Sequence, residues 1–81
     1  MRVRVLLFAR LRELVGGDSL EMEVPEGTTL GELWRLLQAD NSALQAFTSP
    51  PLMARNLEYA GPETPLTGDE EIAFLPPVSG G

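Results

Sequence analysis

The chain has 81 residues with 12 acidic against 6 basic side chains, a formal charge of −6, and every cation is an arginine. It contains no lysine, histidine or cysteine, so a disulfide framework, a thiolate metal site, a Ser-His-Asp triad and a Schiff-base lysine are excluded together. One small domain is expected at this length, and a pI of about 4.4 opposes phosphate backbones, which argues against nucleic acid as a partner.

A 43% hydrophobic content is that of a folding chain rather than an acidic disordered tail. From Met1 to Leu7 the residues alternate, with Met1, Val3, Val5 and Leu7 on one face and Arg2, Arg4, Leu6 and Phe8 on the other, the period of a strand. The early arginines interrupt this segment before it reaches membrane length and no small-residue cleavage site follows, so a cytoplasmic protein with no membrane partner is expected. Leu11, Leu14 and Val15 then take helical spacing, and Gly16-Gly17 stops them.

Ser19 to Val24 alternates again, with Leu20, Met22 and Val24 on one side, and Pro25-Glu26-Gly27 turns the chain. Thr29-Leu30-Gly31-Glu32 fits a capping box, followed by an apolar stripe at Leu30, Leu33, Trp34 and Leu37 with Leu36 at its margin. Asp40-Asn41-Ser42 ends that helix, Ala43 to Phe47 allows one further turn, and Pro50-Pro51 enforces a loop. Leu52 to Ala60 reads as short strands, from an alternation of Met53, Leu57 and Tyr59. Glu71 to Leu75 is a last strand, closed by Pro76-Pro77 and followed by Val78-Ser79-Gly80-Gly81, which holds no anchoring side chain. A hairpin, a covering helix and a last strand returning in parallel beside the first give an α+β design, the β-grasp. The mixed sheet is covered by one main helix, with a domain over residues 1–77 and a flexible Gly-Gly tail over 78–81.

The run Asp69-Glu70-Glu71 lacks the spacing of a calcium loop and reads as a solvated turn, so no metal is assigned to it. Trp34 and Leu37 read as core. Phe8 and Leu75 fall opposite the core residues in strands expected to be neighbours, the pattern of a protein-binding patch on an acidic chain. Gly80-Gly81 arises by chance at a chain end in about one sequence in 200, at a glycine frequency of ~7%. One reading is a frayed end. The other is a backbone without Cβ that threads a narrow channel and presents its carboxylate in another protein's active site, projected there by Pro76-Pro77.

The chain resembles the ubiquitin-like sulfur carriers, most nearly the small-subunit family of molybdopterin synthase. The resemblance rests on Leu7 to Gly16, on Thr29-Leu30-Gly31-Glu32-Leu33, on Pro65-Leu66 with Gly68-Asp69-Glu70, and above all on Ile72-Ala73-Phe74-Leu75-Pro76-Pro77-Val78-Ser79-Gly80-Gly81. It is loose over Asn56 to Glu63. It implies a β-grasp protein whose Gly81 carboxylate is adenylated by a ubiquitin-activating-like enzyme using ATP, with no permanently bound cofactor. The acyl-adenylate is then converted to a thiocarboxylate with sulfur from a donor protein. It further implies a large synthase subunit, in a heterotetramer, that receives the C-terminus and passes the sulfur to a precursor pterin. Gly80 serves access, Phe8, Leu75 and Tyr59 form the partner face, Arg12 makes a rim contact, and Pro76, Pro77, Val78 and Ser79 line the approach. The small chain would then be a sulfur-donating subunit without catalysis of its own. A carrier for thiamine or tRNA thiolation shares the fold and the Gly-Gly end, and a passive β-grasp interaction module is the alternative of another class.

Overall fold

Arginine and aliphatic residues alternate along the first segment, and in the computed structural model, which describes residues 1–76, they form strand β1, Arg2–Leu7. Val3, Val5 and Leu7 are buried on its inner face, while Arg2 and Arg4 face out. β1 pairs antiparallel with β2, Ser19–Glu23, through the register Val3 with Met22 and Val5 with Leu20. Val24, read from the sequence as the end of β2, lies just past it, yet its N–H donates to the Met1 carbonyl at 2.8 Å and its side chain is buried.

Between these strands lies helix α1, Ala9–Val15, which turns Leu11 into the core and ends on Gly16 at φ 89°, in the left-handed region where glycine carries no Cβ penalty. Helix α2, Leu30–Asp40, starts from the capping box expected of Thr29 and Glu32. The Glu32 N–H donates to Thr29 Oγ1 at 3.2 Å and the Thr29 N–H donates to Glu32 Oε1 at 2.9 Å. Thr29→Ala is expected to cost about 1 kcal/mol in urea unfolding, the usual loss for an N-cap. Leu30, Leu33, Trp34 and Leu37 are buried against the sheet, and Leu36 is exposed. Trp34 meets Phe74 of the last strand edge to face, with ring centroids 5.3 Å apart.

A 3₁₀ turn at Ser42–Ala46 buries Leu44 and leads through Pro50-Pro51 into β3, Leu52–Arg55, β4, Glu58–Tyr59, and β5, Glu71–Leu75. β5 inserts between β1, in parallel, and β3, antiparallel, so the five-stranded sheet has the order β2-β1-β5-β3-β4. This mixed sheet under α2 is the β-grasp. The domain limit at residue 77 and the tail at 78–81 lie outside the described residues.

Two expectations are corrected. Leu57 does not belong to an alternating strand: it sits in the β3–β4 turn at φ 72° and is fully solvated. The acidic run is not a wholly solvated turn, because Glu70 is 5% exposed. Its Oε1 accepts from the N–H groups of Thr67 and Gly68, and Arg55 Nε lies 3.4 Å from its Oε2. The loop before β5 has backbone donors facing inward, and burying one carboxylate satisfies them. Glu70→Ala is expected to destabilise the fold by about 2 kcal/mol in urea unfolding. The loss comes mainly from the orphaned donors, since Arg55 stays partly hydrated.

Candidate functional site

The register determines what the sheet presents on the side away from α2. Leu6 lies opposite Ser19 and beside Ala73, Ala73 opposite Ala54, and Ala54 opposite Tyr59, so one row of side chains crosses all five strands. The next row, toward the C-terminal end of β5, holds Leu75 opposite Leu52. Phe8 follows β1 in an extended conformation, φ −125° and ψ 153°, which carries the strand's alternation two residues past Leu6 to a place beside Leu75. In the other direction Arg4 lies between Glu21 and Glu71, and Arg2 pairs with Glu23 at 3.1 Å. The outer face is thus apolar at the end from which the chain leaves β5 and charged at the opposite end.

Phe8, Leu52 and Tyr59 are 43%, 44% and 74% exposed, and Leu75 and Pro76 are half-buried. Of the three apolar residues named from the sequence, the structure sets Phe8 beside Leu75 and places Tyr59 on the same face, in the adjacent row two strands from β5. Leu52 was missed, although the signal was present: Met53 points inward, so its neighbour must point outward, against Leu75. An open groove of about 440 Å³ continues from Leu52 and Tyr59 around the sheet edge, between Pro50-Pro51 and Pro62.

The chain leaves this face just after Phe8 through a strained residue. Phe8 caps α1 with its carbonyl, which accepts from the Leu11 N–H at 3.1 Å, while Ala9 takes a left-handed φ of 51° to turn the chain into the helix. Arg12 is exposed in the last turn of α1, where a cation favours the helix dipole, and it makes no ion pair among the described residues. Pro77, Val78, Ser79, Gly80 and Gly81 lie outside the described residues.

The chemistry of this face is association. Its aromatic and aliphatic side chains can be desolvated by a partner, and none is a nucleophile or an acid-base group poised for neutral pH. No group of three histidine, cysteine or acidic side chains converges among the described residues, and no described helix is long and apolar enough to cross a membrane. β5 ends on this face at Leu75, and in the sequence the chain continues from there to Gly80-Gly81.

Comparison with known proteins agrees with that geometry. The ThiS family model matches residues 5–81. The molybdopterin synthase sulfur carrier subunit of Escherichia coli is 38% identical over 80 residues, covering 98% of this chain and 99% of that protein. Other curated relatives carry the same description. Among solved structures, SAMP1 of Haloferax volcanii superposes with a TM-score of 0.85 at 27% identity, covering 100% of both chains. The complex of subunits 1 and 2 of the Helicobacter pylori molybdopterin-converting factor contains a chain similar at 26% identity and a TM-score of 0.67, again covering 100% of both chains. The chain belongs to the ThiS family and is similar throughout its length to molybdopterin synthase sulfur carrier subunits.

Proposed function

We propose that this protein is the sulfur carrier subunit of a molybdopterin synthase and acts in the cytoplasm. The observation that supports the reading best is the placement of the apolar half of the sheet, with Phe8, Leu75, Leu52 and Tyr59, at the strand end that leads to Gly80-Gly81. A partner that covers this half stands next to the emerging C-terminus. The relatives' names favour the molybdopterin branch over thiamine or tRNA thiolation.

A free carboxylate resists nucleophiles. A ubiquitin-activating-like enzyme joins the Gly81 carboxylate to the α-phosphorus of ATP, releasing pyrophosphate and leaving an acyl-adenylate. The outer sulfur of a donor protein's persulfide then attacks the acyl carbon and AMP departs with the bridging oxygen; a thiol cleaves the resulting acyl disulfide, forming a disulfide with the donor's sulfur and leaving Gly81 as a thiocarboxylate. The large synthase subunit, in a heterotetramer, takes the C-terminus into its active site and supplies the charged groups that move protons. Gly80 and Gly81 pass where a Cβ would obstruct. Pro76, Pro77, Val78 and Ser79 line the approach, and Arg12 lies at the rim of the docking face. The net charge of −6 calls for basic grooves on both enzymes.

The test supplies the thiocarboxylated protein with its large subunit and precursor pterin, and in parallel with thiamine and tRNA acceptor enzymes. Dithiolene formation on the pterin is expected. Turnover of only a thiamine or tRNA substrate would overturn the assignment.

A further inference from the structure

Three local rules are broken where β1 passes into α1. The N-cap position is held by Phe8, whose side chain makes no capping bond, where Ser, Thr, Asp or Asn is favoured. The first turn carries no acid and holds Arg10, a cation where the helix end favours an anion. Between them Ala9 takes a φ of 51°, a left-handed conformation that glycine or asparagine adopts with less strain. Ala9 is exposed, so no burial of its methyl group offsets that strain. Local conflicts of this kind concentrate at functional sites, where strain holds a group in a required geometry.

We propose that Ala9 is a positioning residue for docking of the large synthase subunit, a joint with one narrow backbone well that fixes Phe8 before the partner arrives. The proposal rests on the function argued above. The paired part of β1 ends at Leu7, opposite Phe74 of β5. The next fixed point is the Phe8 carbonyl, which accepts from the Leu11 N–H at 3.1 Å as α1 begins. Phe8 is 43% exposed and is not among the residues packed on the core, so backbone geometry rather than side-chain packing sets where it points. Ala9 supplies the sharp change of direction between strand and helix on which that geometry depends. Its Cβ confines a left-handed residue to a small region of φ and ψ, whereas glycine moves between both signs of φ. Glycine at this position releases the strain and loosens Phe8 with it, and a partner must then freeze that freedom on binding. Asparagine also tolerates the left-handed region but keeps the Cβ, so it relieves strain without widening the joint.

The test compares Ala9→Gly and Ala9→Asn with the unaltered full chain, each with Phe8 retained and with Phe8→Ala, measuring thermal unfolding and Kd for the large subunit. Both Ala9 variants are expected to unfold no more than about 4 °C below the unaltered chain, since relief of strain offsets the entropy of the new residue. Ala9→Gly is expected to raise Kd about fivefold, and the backbone order parameter of Phe8 in the free protein should fall from about 0.85 toward 0.6. Ala9→Asn is expected to keep Kd and that order parameter at their unaltered values. Strain relief alone would make the two variants alike. In the Phe8→Ala background the fivefold effect of Ala9→Gly should vanish, because Ala9 acts through the Phe8 side chain. Unaltered affinity or an unaltered order parameter in Ala9→Gly, with Phe8→Ala still weakened, would overturn the positioning role and leave the proposed function standing. Equal losses in the glycine and asparagine variants, or a glycine effect that persists without the Phe8 ring, would overturn it as well. Failure of the unaltered chain to bind the large subunit would instead overturn the function on which the proposal rests.

Discussion

Deleting Gly81 is expected to abolish sulfur transfer, by more than about a hundredfold, while thermal unfolding shifts by less than the equivalent of about 0.5 kcal/mol. The two halves of this result have separate causes. One residue of backbone spans ~3.3 Å, so removing it withdraws the reacting carbon from a site that holds it to within about 1 Å. The core, by contrast, is contained in residues Val3 to Phe74 and loses nothing. Adding one residue after Gly81 should be equally disabling, because it replaces the reacting carboxylate with a peptide bond. A passive interaction module would keep its function in both variants. Product formation in the reconstituted synthase, read beside a melting curve, separates the two.

Phe8→Arg should raise Kd for the large subunit about a hundredfold and weaken the activating enzyme as well, with the fold intact. Phe8 is 43% exposed, and it caps α1 through its carbonyl rather than its side chain, so the substitution removes no core contact and no capping bond. What it adds is a guanidinium at the β1 end of the surface that Leu75, Leu52 and Tyr59 complete. A partner that desolvates this surface must bury an unpaired charge, and a desolvated aromatic anchor typically carries about 2–4 kcal/mol. Titration calorimetry with each enzyme measures the effect. Unchanged affinity would remove the apolar face from the account.

Much of this was legible in the residues because the relevant signals are local. Alternation in β1 exposed Phe8 on the outer side, the Thr29–Glu32 box located the start of α2, and Leu75 followed from the period of β5. The parallel placement of β5 beside β1 followed from the length of the crossover and brought Phe8 and Leu75 together. What was not legible depends on partners distant in sequence. Glu70 looks solvated in a run of three acids, and only the arrival of Arg55 and the inward N–H groups of Thr67 and Gly68 buries it. Leu57 mimics strand alternation because its turn lacks the glycine that usually marks one. Leu52 was legible from its alternation with Met53 but follows two prolines that mask the start of β3, and its register with Leu75 makes its place plain. The last five positions, Pro77 to Gly81, are read from sequence pattern and resemblance alone.

The central claim is that the chemistry of this lysine-, histidine- and cysteine-free chain resides in its C-terminal carboxylate. The most direct measurement is the intact mass of the protein recovered from a host active in molybdenum cofactor synthesis, with fragmentation to localise any change. A species heavier by one oxygen-to-sulfur exchange, confined to Gly81, is expected. A protein that stays at its unmodified mass in that host, and after incubation with the activating enzyme, ATP and a sulfur donor, would contradict the claim.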